Sequence, residues 1–215
     1  MTEFVDAVLQ WVQAVDPVLR TVIAGIAIML ETSVLVGLVV PGDTIVIVAA
    51  TGVASVPEGI VLAIGVIAGA LIGETVGFFL GRWLGPWIRS SWLGRKIGEH
   101  NWERADRYLA RRGGPAIFLS RFLPVLHSLV PLTAGMAGYS YRRFLAWTLP
   151  ACAIWTALYV TVAATAAGSY RQLGDQIHGA GYIFVGIIVL FLLGVFVTKK
   201  IIERNERHHL EADDH

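Results

Sequence analysis

Five ionisable side chains fall inside long apolar stretches: Glu31, Asp43, Glu74, Arg121 and His127. An unpaired charge at the centre of a bilayer costs at least ~2.5–3.5 kcal/mol. Three acids, one guanidinium and one imidazole at that depth therefore pair with one another or line a polar cavity. Such groups mark ion and proton pathways in membrane proteins. Glu31 and Asp43 are twelve residues apart across Pro41-Gly42. A chain broken there sets one acid on each arm, facing a common space. Arg121 and His127 bracket Pro124 in the same way. The plainer alternative is a staple, with Arg121 joining two hairpins through a carboxylate. For Glu74, a structural hydrogen bond and a transport role stand level.

Ser120-Arg121-x5-His127 also matches part of a membrane phosphatase signature, Ser-Arg-x5-His-x3-Asp, in which the histidine is the nucleophile. Position 131 is Pro131 rather than Asp, so the imidazole lacks its orienting acid, and the motif's general acid is missing too. Glycines recur every fourth residue from Gly65 to Gly85, including Gly73, Gly77 and Gly81. That stripe reads as a close helix–helix seam rather than a phosphate loop. His208, His209 and His215 lie in a polar tail and read as solvated. No catalytic residue, metal or cofactor is expected.

The elements that position these residues belong to a membrane protein. Of 215 residues, 55% are hydrophobic and 15% charged, and the mean hydropathy is +0.64. This weighs against a soluble enzyme and excludes a disordered chain or a nucleic-acid-binding surface. The single Cys152 permits no intrachain disulfide. Residues 1–16 read as an amphipathic surface helix and not a signal peptide, since Glu3 and Asp6 precede the first basic residue, Arg20. One membrane domain is expected over residues 17–200. It comprises a hairpin over 21–56, a span over 60–81, a cytoplasmic surface segment over 82–112, a hairpin over 115–138, and spans over 144–168 and 180–198. Residues 201–215 form a cytoplasmic tail. The hairpins are inferred from Pro41 and Gly42 in the first, and from Pro124, Pro131 and the two ionisable groups in the second.

Positive charge sets the orientation. Eight of the 17 Lys and Arg residues lie in 82–112, two more are Arg142 and Arg143, and four, Lys199, Lys200, Arg204 and Arg207, follow the last expected span. These groups are placed in the cytoplasm. Both ends of 115–138 are then cytoplasmic, so that segment re-enters, while 55–59 faces outside. Trp83, Trp87, Trp92, Trp102 and Trp147 are expected at the cytoplasmic interface. The expected fold is thus an all-α polytopic membrane protein. It has two opposed re-entrant hairpins in an inverted repeat, about three transmembrane helices and amphipathic surface helices. In such a repeat the substrate site lies where the broken helices meet.

Three blocks resemble the DedA family, also described as the SNARE-associated or VTT-domain family. They are Glu31 followed by Val40-Pro41-Gly42-Asp43, then Gly73-Glu74-x-x-Gly77-Phe78-x-x-Gly81-Arg82-x-x-Gly85, and Ser120-Arg121-Phe122-x-Pro124-x-x-His127 continuing to Pro131-x-x-Ala134-Gly135. Phe144 and Trp155 extend the match. His127 stands where the family usually has arginine. The resemblance implies a multi-pass protein of the cytoplasmic (inner) membrane that carries a lipid and is not an enzyme. The leading expectation is a flippase returning undecaprenyl phosphate across the membrane, coupled to protons. Alternatives are a passive phospholipid scramblase and a small-ion or drug/proton antiporter; a lipid phosphatase ranks last. Arg121 suits a phosphate by charge and donor geometry, and His127 would add a second cation when protonated. Glu31, Asp43 and Glu74 are the proton-coupling candidates. The expected partner is a polyprenyl phosphate or phospholipid, with no nucleic acid; homo-oligomerisation is left open.

Overall fold

The computed structural model describes residues 2–33, 41–123 and 126–173, together with Gly186, Val189, Leu190 and Leu193. Among the described residues the regular structure is entirely α-helical. The helices are α1 (Thr2–Ala14), α2 (Pro17–Thr32), α3 (Gly42–Thr51), α4 (Val56–Ser90), α5 (Trp92–Ile97), α6 (Glu99–Arg112), α7 (Gly114–Ser120), α8 (Leu126–Met136) and α9 (Tyr141–Leu173). Two of them are long and apolar enough to cross a membrane, over Val56–Gly85 and Tyr141–Tyr170. The expected span over 180–198 lies largely outside the described residues, and the tail over 201–215 lies wholly outside them.

Local chemistry sets the boundaries. Asp16 caps α2 by accepting from the amides of Val18 and Leu19 at 2.9 and 3.1 Å, with Pro17 in the first turn. The axis turns by 102° between α1 and α2, so α1 lies across the end of the bundle. The expected span over 60–81 is longer than the sequence suggested. Its helix starts at Val56, capped by Ser55, and continues through Arg82 to Ser90. The helix continues past Gly85 and Pro86, so the surface segment begins only with α5 and α6. The later span is likewise extended, to Tyr141–Leu173.

The arms of the two hairpins are short. At about 1.5 Å per residue, α2, α3, α7 and α8 measure about 24, 15, 10 and 16 Å, against ~30 Å of hydrocarbon. Pro131 is not a break: it lies buried inside α8. The helix tolerates it because α8 is packed against α4, where Gly81 and Gly135 bring the backbones of Leu132 and Phe78 close. The turn after α7 begins at Arg121 and runs through Leu123 towards α8. Pro124 itself is outside the described residues. Pro41 does precede a helix start, as the N-cap of α3.

The glycine stripe of α4 serves two partners. Gly65, Gly69 and Gly73 meet Thr21, Gly25 and Met29 of α2, while Gly81 and Gly85 meet Leu132 and Met136 of α8. Numbering rises together in both pairs, so α2 and α8 each run parallel to α4. Helix α9 runs the other way. Its Tyr141 hydroxyl is 3.1 Å from Thr75 Oγ1, and its Tyr170 hydroxyl donates to Asp6 Oδ1 of α1 at 2.7 Å. Helix α3 packs on α9 and so does α7. Two apolar cores result. One, near the basic end, holds Phe78, Trp102, Leu132 and Phe144; the other holds Ile28, Val46, Leu62 and Trp155.

The two ends are pinned differently. At the far end the buried Arg20 donates to Val12 O at 3.1 Å and is ion-paired with Glu58, tying α1 and α2 to the α3–α4 turn. At the basic end Arg89 bridges Glu99 and Asp106 of α6. Trp83, Trp87 and Trp92 are exposed there, as an interfacial belt requires. Trp102 departs from that expectation. It is fully buried, with its indole N–H donating to Gly94 O at 3.0 Å.

Candidate functional site

The ionisable residues converge where the two cores meet. Glu74 lies at the middle of α4, between Ala70 of one core and Phe78 of the other. Arg121 caps the C-terminus of α7 at the break of the second hairpin. Glu31 ends α2 and Asp43 opens α3, at the break of the first. Ser128 of α8 joins the two tips, its hydroxyl donating to Glu31 O at 3.4 Å. Carboxylates at a helix N-terminus and a cation at a helix C-terminus each complement the local backbone dipoles.

Arg121 is the centre of this cluster. Its side chain is 3% exposed, and Nη1 lies 3.4 Å from Glu74 Oε1. The guanidinium carbon sits 4.4 Å from the ring centroid of Trp155, which is stacked on Tyr159 with centroids 4.0 Å apart. Among the described residues, Arg121 Nε and Nη2 are buried and have no hydrogen-bond partner. Two missing bonds on a buried guanidinium are costly, and these two nitrogens form the edge that binds an oxyanion bidentately. Glu31 and Asp43 lie within electrostatic range of the same group.

The acids differ in their engagements. Glu31 Oε2 accepts from the Asp43 amide at 2.7 Å, so this carboxylate caps α3 from the opposite arm. Gly42 makes room for it, since a Cβ there would fall 2.6 Å from Glu31 Oε2. Glu74 Oε1 accepts from both Arg121 and the thiol of Cys152, the latter at 3.5 Å. Gly73 fits against Met29 and Thr32 of α2, beside Glu74, and Gly77 is buried one turn later. His127 Nδ1 is 3.3 Å from Leu123 O. A carbonyl only accepts, so this contact suits the tautomer with its proton on Nδ1.

Of the five ionisable residues that the sequence groups, the fold sets Glu31, Asp43 and Glu74 around Arg121, while His127 is turned to Leu123 O. The sequence did not reveal Trp155 as the platform under Arg121, nor Cys152 as a donor to Glu74. Both lie on the buried face of α9, and a spacing of three residues in an apolar helix was the available signal.

The profile of the VTT domain matches residues 40–165. The chain is similar to the "Alkaline phosphatase-like protein" of Lactococcus lactis subsp. cremoris (strain MG1363), 27% identical over 113 residues that cover 51% of this chain and 53% of that one. It is also similar to "Protein DedA" of Escherichia coli (strain K12), 31% identical over 91 residues that cover 42% of this chain and 40% of that one. The matches thus span about half the length of these relatives or less. No solved structure matches significantly.

Proposed function

The chain belongs to the VTT-domain, or DedA, family of membrane proteins, and from that premise we propose that it carries a lipid phosphate across the bilayer. One observation carries this reading: the Nε–Nη2 edge of Arg121, buried between the two helix breaks and without a hydrogen-bond partner among the described residues. A phosphate monoester satisfies both nitrogens at once. Undecaprenyl phosphate is the substrate we favour, moved inwards with proton coupling through Glu31, Asp43 or Glu74. The basic end is taken as cytoplasmic and the membrane as the inner one, following the positive charge. An inverted repeat is supported by an exchange of partners. Helix α2 packs on α4 as α7 packs on α9, and α3 packs on α9 as α8 packs on α4.

The protein is read as a carrier and not an enzyme. A phosphatase would need His127 oriented by an acid at position 131, which is Pro131. The test is reconstitution into liposomes with a fluorescent polyprenyl monophosphate, with and without a pH gradient. Arg121→Ala should lower transport by about 10- to 100-fold, matching the ~1.5–3 kcal/mol of a charged hydrogen bond. Arg121→Lys should rescue only in part, because the fork is lost. Wild-type transport by Arg121→Ala would overturn the reading. Equal rates for phosphatidylethanolamine without a gradient would favour a passive scramblase, and release of inorganic phosphate would favour a phosphatase.

A further inference from the structure

We propose that Glu74 is the resident anion of the Arg121 site: it holds the guanidinium while no headgroup is bound and competes with the lipid phosphate for it, setting how tightly the headgroup is held and how fast it leaves. This rests on the lipid-phosphate reading above. Among the described residues, Glu74 is the acid hydrogen-bonded to Arg121. Asp43 and Glu31 act on Arg121 only through space, and the Glu31 carboxylate is held by the Asp43 amide. His127 is turned to Leu123 O.

The Glu74–Arg121 contact is built to be given up. It engages one guanidinium nitrogen at 3.4 Å, well beyond the ~2.7–2.9 Å of a strong charged hydrogen bond. The other edge of the guanidinium has no partner among the described residues. Trp155 supports the plane from one side, so Arg121 stays in place while its counter-ion changes. The same carboxylate oxygen accepts from Cys152 and therefore keeps a donor after it leaves Arg121. Two anions on one buried cation repel each other. A phosphate arriving on the open edge weakens the hold of Glu74, and Glu74 in return weakens the hold on phosphate and speeds its release.

The experiment compares KM and turnover in liposomes containing the fluorescent polyprenyl monophosphate. Glu74→Gln removes the competing charge. It should lower KM by about tenfold and lower turnover by a similar factor, as release becomes limiting. Glu74→Asp keeps the charge but withdraws it by one methylene, and should shift both parameters the same way by a few-fold. A purely structural acid predicts less folded protein with KM unchanged. A KM that is unchanged or raised in folded Glu74→Gln overturns the proposal while leaving the carrier reading intact, provided Arg121→Ala still lowers transport as expected above. If Glu74→Gln does not fold, Glu74→Asp decides by the same criterion. Transport by Arg121→Ala at the wild-type rate would remove the carrier reading and this inference with it.

Discussion

His127 is the residue whose type departs from the pattern around it, and its position now bears on what it can do. Its Nδ1 is turned to Leu123 O, a contact compatible with a neutral or a charged ring. If the charged ring helps to attract a phosphate, its contribution fades as pH rises through neutrality. His127→Arg should then keep transport and flatten the pH dependence between about 5.5 and 8. His127→Gln should reduce transport at the acid end and matter little at the alkaline end. Rates measured at both ends in liposomes check this, and an unchanged profile in both variants would make His127 a bridge across the break and nothing more. At this scale the sequence was informative about charge and poor about partners. Glu31, Asp43, Glu74 and Arg121 were legible because charge in apolar sequence is expensive. Trp155 and Cys152 were not, because an apolar helix gives no sign of which face meets a buried cation. Arg20 was left unassigned for a related reason: its partner, Glu58, is 38 residues away, beyond the reach of local spacing.

The breaks and the glycine stripe decide how the helices work. The four-residue glycine period correctly announced a close seam, but it did not reveal that the seam changes partner from α2 to α8 near the level of Glu74. That change places Glu74 where both hairpin tips arrive. Position 69 is the sharpest test, because a Cβ there would fall on the backbone of Gly25. Gly69→Leu should destabilise the folded protein by about 1–3 kcal/mol, the usual cost of overpacking. It should also lower the midpoint of thermal unfolding in detergent. Gly168→Ala, with nothing within 4 Å of the added carbon, should leave that midpoint unchanged. Equal behaviour of the two variants would mean that the α2–α4 seam is not held as described. Pro131 gives the opposite lesson about elements. A proline in sequence reads as a stop, yet tertiary packing carries Pro131 inside α8, and the chain leaves α7 ten residues earlier, at Arg121.

At the scale of the molecule, the contacts fix the relative directions of the helices. Helix α4 runs from the far end to the basic end, α2 and α8 run with it, and α9 returns. Because α7 starts beside Trp147 of α9, where Gly114 packs on the indole, and α8 ends beside Gly85 of α4, both ends of the second hairpin lie at the basic end. The first hairpin is pinned at the opposite end by Arg20 and Glu58. The clustering of Lys and Arg along the sequence is a separate ground for expecting both ends of 115–138 on one side of a membrane. Single cysteines at the exposed positions Arg112, Ser140 and Ala54 test it with a membrane-impermeant maleimide. The background should be Cys152→Ser, which keeps a donor near Glu74 where alanine would remove it. Arg112→Cys and Ser140→Cys should label from one face, and Ala54→Cys from the other. Labelling of positions 112 and 140 from opposite faces would make 115–138 a crossing segment. Arg121 would then lie in a continuous span with no second tip to meet, and the shared site of the two hairpins would be lost.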